Sequence, residues 1–201
     1  MQPNHKRGAK VTDKMLDERQ KEDDSFMLKN VRLSFPALFT KSKKSGKYEA
    51  TFYIPKDDEK TKAIILRKIK KALADNKDIK IARANWCFKD GDEGDREEAF
   101  GFYTFKASNK KKPQVLNRSA EVMEEDDDSL FYGGAWVNAI VGIWIQNNEF
   151  GKRVNANLFA VQFVKHDEPF GEGSRDYSDK FEDLGDDEEA DEDFDDEDED
   201  L

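Results

Sequence analysis

Hydrophobic and polar positions alternate with period two along most of the chain between residues 26 and 165, and switch to a helical period once. FMLKNVRLSF starts the alternation at Phe26, with Met27, Val31, Leu33 and Phe35 on one side and Asn30, Arg32 and Ser34 on the other; this is a strand pattern, and Pro36 closes it because proline cannot donate to a ladder. After the Ser/Gly/Lys loop FTKSKKSGKY, KYEATFYIP predicts a second strand, with Tyr48, Ala50, Phe52 and Ile54 facing one way and Lys47, Glu49, Thr51 and Tyr53 the other. DDEKTKAIILRKIKKALAD then places Ile65, Ile69, Ala72 and Leu73 at helical spacing behind Asp57, Asp58 and Glu59, whose charge suits a helix N-terminus. ARANWCF and FGFYTFKAS read as further strands. The longest strands are GAWVNAIVGIWIQNN and RVNANLFAVQFVKH, joined through NEFGK as a hairpin. Along the first, Val137, Ala139, Val141, Ile143 and Ile145 share one face, and Trp136, Asn138, Ile140, Gly142, Trp144 and Gln146 the other. Five to seven strands, long loops and one inserted helix fit a mainly β protein, a Greek-key barrel of the oligonucleotide/oligosaccharide-binding (OB) type.

Charge changes this picture through its position. The 201 residues carry a formal charge of -11, but His166 to Leu201 holds 20 acidic and two basic residues, so residues 1–165 carry about +7. A cationic body thus bears its own polyanion, an arrangement that attracts phosphate-bearing partners to the body. The expected organisation is a flexible arm over residues 1–25, a folded domain over 26–172 and a disordered acidic tail over 173–201. From Glu182 to Asp200, 15 of 19 residues are acidic and none is basic. That stretch reads either as a solubilising tail or as an electrostatic mimic of DNA that, once displaced, offers Phe194, Asp198, Glu199, Asp200 and Leu201 to basic pockets on partner proteins.

Several chemistries find no support. One Cys and two widely spaced His do not supply a structural zinc site or an intrachain disulfide, so the expectation is a reducing compartment with no metal and no cofactor. No apolar run approaches ~18 residues, so no membrane span is expected. Neither GxxxxGK[ST] nor GxGxxG occurs, DGDEGD does not keep the spacing of a calcium loop, and both His lie in expected flanks. An enzyme is therefore not expected; a magnesium-dependent nuclease is the least favoured reading.

The positive signal is basic residues interleaved with aromatics. Sequence-independent binding of single strands needs cations along the phosphates and flat rings under the bases. Arg32, Lys43, Lys44, Lys47, Lys106, Lys110, Lys111, Lys112 and Arg153 are candidate phosphate partners. Tyr53, Phe102, Trp136 and Trp144, each on the more polar face of its strand, are candidate stacking rings; Asn109 and Asn138 add hydrogen bonds. For each ring a core position is the competing reading, and for each lysine run a solvated turn. An acidic-tailed chaperone of basic proteins is the alternative function, and the same contacts admit RNA.

LKNVRLSFPALF, YEATFYIPKDD, ASNKKKPQV and YGGAWVNAIVGIWIQNNEFGKRVNANLFAVQFVKHDEPFG, in that order, resemble a family of phage-encoded single-stranded DNA-binding proteins long labelled only as a domain of unknown function. The similarity spans roughly residues 26 to 172, with an acidic tail following. The resemblance implies an OB fold that coats single-stranded DNA in phage replication, recombination or repair, inside the cytoplasm of the infected bacterium. It also implies replication or recombination proteins as partners of the tail; a homo-oligomer or cooperative assembly on the strand is compatible with it.

Overall fold

The period-two stretches become seven strands in the computed structural model, which describes residues 24–77, 79–124 and 129–170. These are β1 (Phe26–Ala37), β2 (Tyr48–Pro55), β3 (Phe88–Asp90), β4 (Phe102–Asn109), β5 (Gln114–Leu116), β6 (Trp136–Asn148) and β7 (Gly151–Lys165), with helix α1 (Glu59–Ala74) between β2 and β3. They form one sheet in the order β3-β4-β2-β1-β6-β7-β5. All neighbours are antiparallel except β5 and β7. Helix α1 starts where Asp58 accepts a hydrogen bond from the Thr61 amide at 3.0 Å, and its Ile65 and Ile69 are buried as their spacing requires.

The sheet curls until its β3–β4 side meets β7. Asn109 Nδ2 donates to the Leu158 carbonyl at 3.1 Å, the Cys87 amide donates to the Val154 carbonyl at 2.8 Å, and Trp86 pairs with Val154. The expected OB-type barrel is therefore what these residues build. Its interior holds Leu33, Phe52, Phe105, Val115, Val137 and Leu158, together with Ile65 and Ile69. Burying one such side chain contributes roughly 1.5–3 kcal/mol, against about 0–1 kcal/mol for an exposed ion pair; the interior therefore dominates the stability.

Three local expectations change. β1 does not keep one phase: register shifts between Leu28 and Val31 and between Ser34 and Ala37 put Leu28, Val31 and Leu33 all inward, while Met27 and Phe35 face solvent. Asn30 (φ 49°) and Phe35 (φ 47°) take the left-handed turns at these bulges. The second bulge also carries the strand past Pro36 to Ala37. ARANWCF is not a strand; Arg83–Asn85 forms a 3-10 turn, and Trp86–Cys87 lead from it to the short β3. The acidic-tail and most of the N-terminal-arm expectations lie outside the described residues.

Candidate nucleic-acid interface

Directly opposed residues in neighbouring strands share a face, and strand register therefore builds one transverse row. Lys165 pairs with Trp136, Trp136 with Arg32, Arg32 with Tyr53, Tyr53 with Thr104 and Thr104 with Lys89, crossing β7, β6, β1, β2, β4 and β3. The groups touch: Lys165 Nζ lies 5.1 Å and the Arg32 guanidinium 5.8 Å from the Trp136 ring, and Tyr53 lies 6.0 Å from Phe102. Of the residues expected to bind DNA, Arg32, Tyr53, Phe102 and Trp136 thus come together on one outer face.

The chain following β7 lies across that row. Trp136 Nε1 donates to Asp167 Oδ2 at 2.6 Å, Arg32 Nη2 donates to the Glu168 carbonyl at 2.6 Å, and the Phe170 amide donates to the Gly133 carbonyl at 2.8 Å. The Phe170 ring sits 5.1 Å from Tyr53 and 4.3 Å from the Arg32 guanidinium. Tyr53, although on the outer face, is consequently only 1% exposed; its cover is Phe102 and Phe170 rather than the barrel interior. Gly134, at φ +114°, permits the close approach, since a Cβ there would meet the Glu168 carbonyl oxygen at 2.3 Å. The Trp136 indole N–H holds the Asp167 carboxyl below the usual aspartate range, helped by the Glu168 amide and by the Arg32 and Lys165 charges.

Two other groups of expected residues stand apart from this row. Tyr48 pairs with Asn109, so the loop carrying Lys43, Lys44 and Lys47 and the one carrying Lys110, Lys111 and Lys112 emerge side by side at one end of the β2–β4 ribbon. Lys43, Lys44 and Lys110 are exposed, Lys112 Nζ donates to the Glu124 carbonyl at 3.0 Å, and Lys106 is paired with Glu49 at 3.0 Å. Trp144 and Arg153 lie away from the row: eight residues along β6 separate Trp144 from Trp136, about 26 Å at a strand's rise. The two asparagines serve the fold. Asn138 Oδ1 accepts from the Asn30 amide at the first β1 bulge, and Asn109 links β4 to β7 and accepts from the Lys111 amide.

Residues outside the expected set also present rings and cations. Phe35 is 54% exposed in its left-handed conformation, with the Arg96 guanidinium 4.1 Å above its ring. His166, expected in a disordered flank, instead lies parallel to Tyr132 at a centroid distance of 6.0 Å. Lys165 and Phe170 were hidden by their position next to the acidic run; the Gly133–Gly134 pair before β6 was the available hint of a close backbone approach. Elsewhere, Asp90 and Asp92 of the DGDEGD loop both grip Lys56, and burial pushes the Cys87 thiol up to about 12, which keeps it protonated. Among the described residues no cluster of His, Cys, Asp or Glu is arranged to hold a metal ion, and no helix is long and apolar enough to cross a membrane.

A closed barrel with a row of cations and rings on its outer face defines an OB-fold protein with a surface suited to a flexible polyanion. The chain belongs to the family described as "Enterobacter phage Enc34, ssDNA-binding protein", whose pattern it matches over residues 24–198. It is similar to the single-stranded DNA-binding protein of bacteriophage Enc34, solved in complex with single-stranded DNA, at 35% identity and a TM-score of 0.69 over 74% of this chain and 90% of that one. A "putative protein p50" of Acyrthosiphon pisum secondary endosymbiont phage 1 is 35% identical over 171 residues, covering 78% of this chain and 92% of the relative. The gp2.5 single-stranded DNA-binding protein of bacteriophage T7 shares the fold at 18% identity and a TM-score of 0.54, over 80% of this chain and 96% of that one.

Proposed function

We propose that the protein binds single-stranded DNA without sequence preference, coating and protecting it during phage DNA replication, recombination or repair in the cytoplasm of the infected bacterium. The observation that carries this reading is the transverse row: Arg32 stands between Tyr53 and Trp136 across three strands, so cation and rings are offered together on one face. Phosphates are neutralised by Arg32 and, where the strand leaves the row, by the lysine loops around Lys43, Lys44 and Lys110. Bases stack on the rings. The protein is a binder and not an enzyme in this reading. The acidic tail competes for the cationic face when no DNA is present, and when displaced it presents Phe194 and the residues from Asp198 to Leu201 to replication or recombination proteins.

The test is titration of the intrinsic tryptophan fluorescence with oligo-dT, and with duplex DNA of equal length, at two salt concentrations. Quenching by the single strand, weakening with salt by about 0.7 in log K per log unit for each phosphate neutralised, is the expected result. Salt-independent affinity would remove the phosphate contacts from the proposal, and replacing Lys43 and Lys44 with Glu should lower the slope. Deleting residues 180–201 should tighten binding; unchanged affinity would discard the competing tail. Binding to basic proteins with negligible affinity for oligonucleotides would install the chaperone reading instead.

A further inference from the structure

Strand β6 is paired on both sides for only part of its length. β1 accompanies it from Trp136 to Val141, which lies opposite Phe26 at the start of β1, while β7 accompanies it as far as Asn148. The seven residues Gly142–Asn148 therefore have a partner on the β7 side, and among the described residues no backbone group bonds to them from the other side. The chain ahead of β1 does not continue the ladder: Asp24 is held at α1, its carbonyl by Lys68 Nζ at 3.1 Å and its carboxylate by Lys71 Nζ at 2.9 Å. The other edges are protected. β3 and β5, at the two ends of the sheet, are three residues long, and the far side of β7 is met by Trp86, Cys87 and Asn109. Proteins guard an open edge with lysine, proline, a bulge or shortness, because its unpaired N–H and C=O groups otherwise recruit another strand. Gly142–Asn148 has none of these guards. In a chain that is 39% charged, GIWIQNN contains no charge and no proline, and the register shift between β6 and β7 falls before it, between Ile140 and Val141.

We propose that Gly142–Asn148 is a docking edge for the same segment of a second copy of this chain, paired antiparallel about a two-fold axis at Ile145. A seam of this kind is self-complementary when no side chain meets its own charge across the axis, and this uncharged segment on a cationic body meets that condition. In this register Trp144 opposes Gln146 of the second copy and stands diagonal to the other Trp144, a separation that aromatic rings span. Ile143 and Ile145 already pack against the interior, whereas Trp144 lies on the outer face opposite Asn155. The seam is about 26 Å from Trp136 along β6, so pairing leaves the row of cations and rings open. Seven residue pairs bury less than the ~1,200 Å² of a standard stable interface. The contact is therefore weak and reversible in free solution, and it strengthens when two copies are held on one oligonucleotide.

The test uses full-length protein without DNA, so that the seam and the DNA-binding reading fail separately. Sedimentation velocity over a rising micromolar concentration series should show a reversible monomer–dimer equilibrium for the wild type. W144K sets two lysines diagonally across the seam and should raise the dissociation constant about tenfold or more. Q146C treated with a short bismaleimide should give a covalent dimer, because the two thiols stand about 7–8 Å apart on the diagonal. K110C, in the loop after β4, should not, and the buried Cys87 stays protonated and unreactive in both. Circular dichroism checks that W144K is folded, and the Q146C cross-link stands independently of it. A wild type that remains monomeric throughout the series, with no Q146C dimer, would overturn the proposal. So would a dimer that W144K leaves intact and Q146C fails to cross-link, since the contact would then lie on another face. A maleimide–succinimide reagent that joins Q146C to Lys6, Lys10, Lys14 or Lys21 within one monomer would assign the edge to the chain's own arm and likewise overturn the seam.

Discussion

The two ends of the β6–β7 hairpin are built from similar residues and stand in different situations. At the near end Trp136 is flanked by Lys165 and Arg32, its N–H is satisfied by Asp167, and the glycine before it is pressed against the Glu168 backbone. At the tip Trp144 faces Asn155 across the hairpin, Arg153 and Phe150 are exposed, and Gly151, at φ +108°, has nothing within 4 Å of where its Cβ would be. A tryptophan with basic residues close by in sequence therefore says little about a site. What distinguishes the near end is a third and fourth element, β1 and β2, which supply Arg32 and Tyr53 in register.

The largest contrast is expected from the two glycines. G151A should cost the backbone strain alone, about 1–3 kcal/mol. G134A adds the collision with Glu168 and should cost more in urea unfolding, or lift the segment and expose Tyr53 to chemical nitration. Equal losses with Tyr53 still protected would deny the near end its close packing. Next comes a pair of ring deletions: W136A should weaken oligo-dT binding by about 1–3 kcal/mol, the worth of one stacked base, and W144A by clearly less. A larger loss from W144A would move the binding track to the hairpin tip.

Phe35 offers a further contrast on β1, because a bulky residue in the left-handed region costs about 1–2 kcal/mol that glycine avoids. F35G should therefore raise the urea midpoint, while weakening oligo-dT binding if the strain is retained to present the ring above Arg96. A lower midpoint would show that the exposed ring contributes to packing instead. The smallest effect is in the acid range. Asp167 titrates below its ordinary value of 3.8, so its stabilising contacts are fully present above that value and are lost as pH falls through the lowered one. The difference in urea midpoint between wild type and D167N should be constant from pH 7 to 5 and shrink as the solution becomes more acid than 3.8. A difference that persists in strong acid would assign it to packing.

The chain's periodicity was enough to read β2, β4, β6, β7 and helix α1, because Ala50, Phe52 and Ile54, or Val137, Ala139 and Val141, can be buried together only on one face of a strand. β1 was half legible. Its two bulges shift the phase, and a bulge leaves little mark on composition beyond Asn30, a residue that tolerates the left-handed turn. Arg32, Tyr53, Phe102 and Trp136 were identifiable as members of polar faces, but nothing local said that these four meet and that Trp144 does not.

By itself the sequence determined the class of fold, the segregation of positive and negative charge and the residue types able to hold a single strand, since each depends on neighbours along the chain. Tertiary structure alone decided which of them form one site. Strand register sets Arg32 between Tyr53 and Trp136, and the turn at Gly134 lets Asp167 and Phe170 reach back to cover Arg32 and Tyr53, more than 100 residues earlier in the chain. Those contacts join segments from 21 to more than 130 residues apart, separations at which hydrophobic periodicity carries no information about pairing.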